Sequence, residues 1–192
     1  MKRHFACAMG LLVIALTVFG CGHLPGHGWA TLIDGNTGES LKAAKQSWME
    51  DPVWQPLRKH CEDSFVVQDW FELFVAQNLV TDGLLYPLVY GRFAGELSQT
   101  GGAVVSMLTE FMDEWYAESV KWVDAFVKTA AAESPENKHL LSQWVRDGIA
   151  STTEALTPLA KLMYLEDAQP ALDEARAALL ARVAKTGLHV HA

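Results

Sequence analysis

The sequence predicts an all-α fold built from long helices. From Glu39 onward glycine and proline become sparse, and apolar residues recur every three or four positions, as on one face of a helix. Residues 102–132 carry this pattern without a break, and no stretch alternates apolar and polar residues as a strand does. These observations together predict a helical body.

Composition indicates the class of protein and argues against some classes of partner. The chain has 192 residues, half of them apolar, with seven Trp and eight Phe, which is enough for one domain with a sizeable core. A formal net charge of −8 argues against nucleic acid or an anionic membrane as the main partner. The three cysteines, Cys7, Cys21 and Cys61, fit neither a disulfide framework nor a metal knuckle.

The N-terminal segment resembles a lipoprotein-type export signal. Lys2 and Arg3 precede an apolar run of 15 residues, 5–19, which is short for a membrane span. The run ends before Gly20 and Cys21, so we expect cleavage and lipidation at Cys21. An uncleaved apolar N-terminus is the alternative.

Three regions are therefore expected. Residues 1–21 are the signal-like segment, residues 22–38 are a glycine-rich linker, and residues 39–192 are the helical domain. Contact with a membrane is expected only through the first of these regions.

Two helices are predicted at the start of the domain. One spans residues 39–50, and the next begins with Asp51 as its N-cap and Pro52 at its first position. Apolar residues then follow at spacings of three or four: Val53, Trp54, Leu57, Cys61 and Phe65.

Residues 68–91 form a predicted helix that is apolar nearly all round, as in the middle of a bundle or at a subunit interface. One stripe holds Trp70, Phe74, Gln77, Val80, Leu84 and Leu88, and other faces hold Phe71, Leu73, Leu79 and Leu85. Gly83 and Pro87 are predicted to break or kink this helix.

Residues 102–132 form the most clearly amphipathic helix, roughly 45 Å long at about 1.5 Å per residue. Its apolar stripe holds Val104, Leu108, Phe111, Trp115, Trp122 and Phe126, widened by Val105, Met112, Tyr116, Val123 and Val127. The Trp residues are expected to be buried, first of all in the core.

Two further helices are predicted after this one. The first starts at Ser134-Pro135 and is kinked at Pro158, and the second runs from near Pro170 to Gly187.

One E-x-x-H motif, Glu136 and His139, has the spacing of a ligand pair in a di-iron bundle. Such a site needs two of these motifs and two further Glu, and this motif lies in the first turn after Ser134, where an acid complements the helix dipole. We therefore expect no metal site.

Other clusters of polar residues are interpreted as surface. Glu110, Glu114 and Glu118 share a helix face with lysines and are expected to be solvated or to face a partner. The consecutive residues 60–63, His-Cys-Glu-Asp, point in different directions on a helix, and His189 and His191 belong to a terminal tail. No catalytic residue is expected.

Three stretches, "DWFELFVAQNLVTDGLLYPLVYG", "LTEFMDEWYAESVKWVDA" and "NKHLLSQW", resemble one family. From about Leu41 to about Leu162 the chain is similar to the β subunit of the hydroxylase in bacterial multicomponent phenol monooxygenases, which are related to toluene and methane monooxygenases. The resemblance implies a ferritin-like (ribonucleotide-reductase-like) long-helix bundle, present here in part. The resemblance also implies that Asn137 belongs to the family's pattern and that the E-x-x-H spacing of His139 is incidental.

The same resemblance implies partners. In that family the catalytic α subunit carries the di-iron centre that activates dioxygen, and β packs on α with a small γ subunit in a dimer of αβγ units. This chain is then expected to hold no cofactor. Family β subunits are longer, so the resemblance covers only their C-terminal part. They are cytoplasmic, whereas the signal-like segment indicates a lipid anchor in the envelope, and a fusion near Gly38–Ser40 would account for both differences.

We therefore expect a non-iron-binding, structural β-type subunit, or a fragment of one, of an aromatic-ring (phenol or toluene) monooxygenase hydroxylase. The alternatives are an envelope lipoprotein whose helical body binds a protein partner, and an independent di-iron enzyme. The side chains expected at the interface with a partner are Trp70, Phe74, Leu84, Leu88, Trp115 and Trp122.

Processing at Cys21 is testable by intact-mass measurement after expression in a bacterial host. We expect a chain that begins at Cys21 and carries a lipid, because the charged start, the apolar run and Gly20-Cys21 form a signal of that type. A Cys21→Ser variant is expected to lose the lipid. An unmodified chain that begins at Met1 or Lys2 would contradict the expectation.

Overall fold

A computed structural model describes residues 37–99 and 103–190, and within them every regular element is a helix. The prediction of an all-α fold is confirmed. The chain divides into two compact units, Met1–Arg58 and Lys59–Ala192. Across the described ranges, no helix is both long enough and apolar enough to cross a membrane. The signal-like segment with Cys21 lies outside the described residues, and so does His191.

The first unit contains α1 (Thr37–Glu50) and the start of α2 (Gln55–Ser64). Helix α1 begins two residues before the expected start of the domain. Asp51 caps a turn and not a helix, because its carboxylate accepts a hydrogen bond from the Val53 amide and α2 begins only at Gln55. The rings of Trp48 and Trp54 lie 6.2 Å apart across this turn.

Residues 70–99 form one helical run whose pitch changes four times. The Asp69 carboxylate caps its start by accepting hydrogen bonds from the amides of Phe71 and Glu72. The segments are α3 (Trp70–Phe74), π1 (Val75–Thr81), α4 (Asp82–Tyr86), π2 (Pro87–Phe93) and α5 (Ala94–Gln99). The two π segments have wider turns than an α-helix, so the face that each side chain occupies shifts along the run.

A break or a kink is predicted at Gly83 and Pro87, and the helical run is not broken at either residue. A Cβ added at Gly83 would lie 2.7 Å from the Leu179 side chain, so glycine here permits close packing between helices. Pro87 is the first residue of π2, and the run continues through it. Within π2, the carbonyl of Leu88 accepts a hydrogen bond from the Tyr164 hydroxyl.

Three helices complete the second unit: α6 (Ala103–Glu133), α7 (Pro135–Tyr164) and α8 (Ala168–Lys185). The predictions for these helices are confirmed within a few residues, and α7 continues through Pro158. Ser134 alone links α6 to α7 and caps α7, since its hydroxyl accepts a hydrogen bond from the Asn137 amide. A short 3₁₀ turn, Leu165–Asp167, links α7 to α8, and Gly187 follows α8 at φ +88°.

The helical run 70–99 packs against α6, α7 and α8, and the core lies between them. Its largest fully buried side chains are leucines: Leu79, Leu84, Leu88, Leu141, Leu156, Leu159, Leu179 and Leu188. One polar group of the core lies between α2, π1 and α7, where His60 Nε2 is 3.0 Å from Thr81 Oγ1 and 3.3 Å from Thr152 Oγ1. Burial lowers the pKa of this imidazole.

A second polar group, which is partly buried, joins α8 to α6. Arg182 donates from Nε to Asp124 Oδ1 (2.8 Å) and from Nη1 to the Tyr116 hydroxyl (3.2 Å). The carboxyl of Asp82, at the start of α4, accepts a 3.3 Å hydrogen bond from Gln77. Burial raises the pKa of Asp82 to about 7, against the opposing effects of Gln77 and the Arg182 charge.

The link between α6 and α7 gives a stability prediction. The Asn137 side chain donates hydrogen bonds of 3.3 Å to the Ala130 carbonyl and to Glu133, so it ties the end of α6 to the start of α7. Asn137→Ala is expected to lower the free energy of unfolding by about 1 kcal/mol, measured by chemical denaturation. His139→Ala, at an exposed position one half-turn later, is the control and should change it by less than about 0.5 kcal/mol. Equal effects of the two variants would contradict this account.

The raised pKa of Asp82 gives a pH prediction. A folded-state pKa above the unfolded value means that the protonated carboxyl stabilises the fold at low pH, and that this contribution is lost as pH rises towards and through about 7. Asp82→Asn is expected to raise the free energy of unfolding at pH 8 by on the order of 1–3 kcal/mol and to change it little near pH 4. Thermal melts over this pH range measure the difference, with Asp147→Asn, at an exposed position, as control. A benefit that does not grow with pH would contradict the prediction.

Candidate subunit interface

Helix α6 divides its apolar residues between two faces. Met112, Val123 and Val127 face the core and are almost fully buried. The stripe beside them is exposed, with fractional exposures of 41% for Phe111, 41% for Trp115, 50% for Trp122 and 53% for Phe126. The expectation that the Trp residues of this helix fill the core is therefore wrong for Trp115 and Trp122.

Three of the residues predicted at the margin of the stripe, Met112, Val123 and Val127, are the ones that are buried. The cause is the position of the neighbouring helices: the run 70–99 and α7 both contact α6 and together cover only part of its wide apolar surface. The pattern of spacing alone does not tell which half of so wide a stripe is covered.

Helix α3 extends the exposed surface. Trp70 is 69% exposed, and its ring lies 5.2 Å from that of Phe71. Phe71 and Phe74 are half-buried, and Phe74 reaches the α6 rings, 5.6 Å from Trp122 and 5.7 Å from Phe126. We call the surface made by these residues the aromatic face: Trp70, Phe71, Phe74, Phe111, Trp115, Trp122 and Phe126. Two further exposed apolar residues, Phe65 and Val66, come just before α3 in the chain.

Leu84 and Leu88 do not belong to the aromatic face. They were expected at an interface on the same stripe as Trp70 and Phe74, but they are only 1% and 2% exposed and lie in the core of this chain. The segment π1 lies between the two pairs, and its wider turns rotate Leu84 and Leu88 away from the side where Trp70 is exposed. The remaining four expected interface residues, Trp70, Phe74, Trp115 and Trp122, all contribute to the aromatic face.

The orientation of α6 follows from contacts on its buried side. Arg182 holds Asp124 and Tyr116, and the ring of Tyr116 stacks on that of Tyr86 with centroids 5.0 Å apart. These side chains leave α6 on the side away from Trp122, so fixing them directs the aromatic stripe outward. The sequence pattern does not indicate this role, because Arg182 lies in the last turn of its helix, where any cation complements the helix dipole.

A flank of charged residues borders the aromatic face on α6. Glu110, Glu114 and Glu118 are all exposed, as expected for a solvated or partner-facing surface. Glu118 forms an ion pair with Lys121 on the same helix, and both side chains are mostly exposed. Such pairs add little stability, so this flank can exchange its contacts for those of a partner.

The donor groups in the described residues do not fit a di-iron centre. Glu136 and His139 are both exposed in the first turns of α7. Across residues 37–99 and 103–190, no three His, Cys, Asp or Glu side chains come together where a metal ion could bind. The expectation that the chain itself binds no iron stays a prediction.

The aromatic face and the charged flank together form a large apolar surface with a charged border. Such a surface is suited to binding a protein.

Comparisons with known proteins show which family the chain is similar to. The model of the methane/phenol/alkene hydroxylase family matches residues 27–134. Over 159 residues the chain is 52% identical to DmpL, an oxygenase component of phenol 2-monooxygenase from Pseudomonas sp. (strain CF600), covering 82% of this chain and 46% of that protein. It is 25% identical over 101 residues to the hydroxylase β subunit of the toluene-4-monooxygenase system of Ectopseudomonas mendocina, covering 53% of this chain and 31% of that one.

A solved structure extends the similarity to the fold. The crystal structure of phenol hydroxylase from Pseudomonas sp. OX1 contains a chain that superposes with a TM-score of 0.78 at 36% sequence identity, covering 98% of this chain and 62% of that chain. The chain spans about half the length of the curated relatives it matches. The similarity extends over most of this sequence, and the chain belongs to the methane/phenol/alkene hydroxylase family, with the ferritin-like helical fold and the sequence of a hydroxylase β subunit.

Proposed function

We propose that this chain is a non-iron-binding structural subunit of β type, or a fragment of one, in a multicomponent di-iron monooxygenase that hydroxylates phenol or a related aromatic compound. The observation that carries the proposal is the aromatic face. An exposed apolar surface of this size, next to charged residues, is typical of a protein–protein interface.

The partner in this proposal is the catalytic α subunit, with a small γ subunit in the same complex. The di-iron centre of α supplies the dioxygen activation, and this chain supplies packing. By covering helices of α, the aromatic face would keep the iron-bearing helices at a fixed geometry, as supporting residues around a metal site do at smaller scale. Family membership and the similarity to oxygenase components of phenol monooxygenases support this assignment.

Energetics favour a partner at the aromatic face. Fully burying an exposed large apolar side chain contributes roughly 1.5–3 kcal/mol, so covering each half-exposed ring contributes about half of that and several rings together favour association. Trp residues at the centre of an interface usually contribute most of that free energy. Trp122, half exposed in the middle of the face and in contact with Phe74, is the side chain best situated for this role.

The test is co-expression of this chain with the α and γ subunits of a phenol hydroxylase, with an affinity tag on α. We expect the parent chain to co-purify with α and to increase its hydroxylation of phenol. Trp122→Glu is expected to reduce co-purification more than about tenfold, because a charge would be buried at the centre of the contact. The loss of activity should follow the loss of the complex.

Leu165→Glu is the matched control, since Leu165 is 74% exposed in the turn before α8 and is not part of the aromatic face. Circular dichroism of both variants checks that they fold. If α retains Trp122→Glu as well as it retains Leu165→Glu, the aromatic face is not the site of docking. A parent chain that never co-purifies with α would contradict the proposed role as a whole.

A further inference from the structure

Two of the consecutive residues 60–63 of α2 point into the protein. Glu62 and Asp63 are exposed, whereas Cys61 is 2% exposed and His60 is partly buried. The imidazole of His60 therefore lies where α2 meets the bundle.

The tip of the His60 ring is held by two hydroxyls from two other helical segments. Its Nε2 atom lies 3.0 Å from Oγ1 of Thr81, the last residue of π1, and 3.3 Å from Oγ1 of Thr152, in the middle of α7. The two hydroxyl oxygens are 3.4 Å apart, and both threonines are almost fully buried. One ring nitrogen thus joins α2 to π1 and α7.

A neutral imidazole suits this site better than a protonated one. A neutral ring nitrogen can accept a hydrogen bond from a hydroxyl or donate one to it, so Nε2 is satisfied in either tautomer. A protonated ring adds a charge that the hydroxyls cannot neutralise, and burial removes water that would otherwise solvate it. Burial accordingly lowers the pKa of His60.

The charges near His60 do not cancel this effect. Two charges act on its pKa, and both come from α2 itself, since Asp63 raises it and Lys59 lowers it. These two side chains form an ion pair with each other and are largely exposed. Within the described residues, π1 and α7 contribute no charge that acts on this pKa. Asp82, which follows π1, interacts instead with the charge of Arg182 on α8.

We propose that His60 is a pH-sensitive latch, which holds the end of α2 on the bundle while its ring is neutral and releases it when the ring is protonated. Apart from the buried side chains of Leu57 and Cys61, α2 has only sparse close contact with the other described helices. A weaker attachment at His60 therefore detaches α2 while the bundle stays folded. The latch is a property of this chain and does not depend on the proposed subunit role.

The direction of the pH effect follows from the lowered pKa of His60. A basic group whose pKa is lower in the folded protein contributes its full stability above its unfolded pKa, here about 6.5, and that stability is lost as pH falls through the folded value. Mild acid should therefore release α2. Protonation of Asp82 acts in the opposite direction, because burial raises the pKa of that carboxyl, so the two effects are separated by measuring them locally.

Hydrogen exchange of the full chain at pH 7.5 and pH 5.5 tests the latch, with labelling times scaled for the chemical exchange rate at each pH. We expect the amides of residues 55–64 to lose protection at least about threefold at pH 5.5, while those of α7 keep theirs. His60→Gln, whose side chain stays neutral and still bonds to hydroxyls, is expected to abolish this difference. His139→Gln, at an exposed position, is the control and should keep it. An α2 whose protection does not fall with pH, or falls equally in His60→Gln, would overturn the proposal.

Titration of the histidine ring protons by NMR tests the same latch without measuring exchange. The His60 signal, assigned as the one missing from His60→Gln, is expected to titrate at lower pH in the folded chain than the histidine signals do in urea. Lys59→Gln is expected to move the His60 midpoint to higher pH, because it removes the charge that lowers the pKa and frees Asp63. A His60 signal that titrates at or above the midpoint found in urea would show that the ring takes up its proton at no cost to the fold, and the latch would be refuted.

Discussion

The changing pitch of the helical run from Trp70 to Gln99 is the constraint on which the arrangement of the second unit depends. This run packs on all three helices that follow, so different side chains along it must pack against α6, α7 and α8. A regular α-helix would keep Trp70, Phe74, Leu84 and Leu88 on one side. With π1 between them, the leucines enter the core and the aromatic residues stay outside. Gly83 completes the arrangement, since its missing side chain leaves room for Leu179.

The polar contacts inside the bundle fix the direction in which α6 presents its rings. Arg182 reaches from α8 to Asp124 and Tyr116, and Tyr86 stacks on Tyr116 from the helical run. Because the Arg182 guanidinium is partly buried and loses part of its hydration, its hydrogen bonds to these partners resist a rotation of α6. At the other end of the same helix, Ser134 and Asn137 fix the turn into α7. The aromatic face is therefore presented by a helix that is held in orientation at two places.

A surface of this kind is consistent with a subunit whose function is to bind. Phe74 contacts the rings of Trp122 and Phe126, yet about half of each aromatic residue on α6 remains exposed. A ring left in water lacks the free energy that its burial would contribute, and the net stability of a folded domain is small. A partner that covers the rings supplies this free energy. The similarity to hydroxylase subunits gives this chain a family, and the partner that we propose for the aromatic face is another subunit of such a hydroxylase.

The sequence by itself determined the fold class, the three long helices with the cap at Ser134, and the family. These follow from local signals: a 3.6-residue period, capping residues, and motifs such as "DWFELFVAQNLVTDGLLYPLVYG". Only the tertiary structure decided that Trp115 and Trp122 are exposed, that Leu84 and Leu88 are buried, and that Arg182 joins two helices. Burial depends on which neighbours cover a face, and a π turn is not visible in a pattern that assumes one constant pitch. The physical reason is that spacing reports which residues share a side of one helix, while packing between helices decides which side faces water.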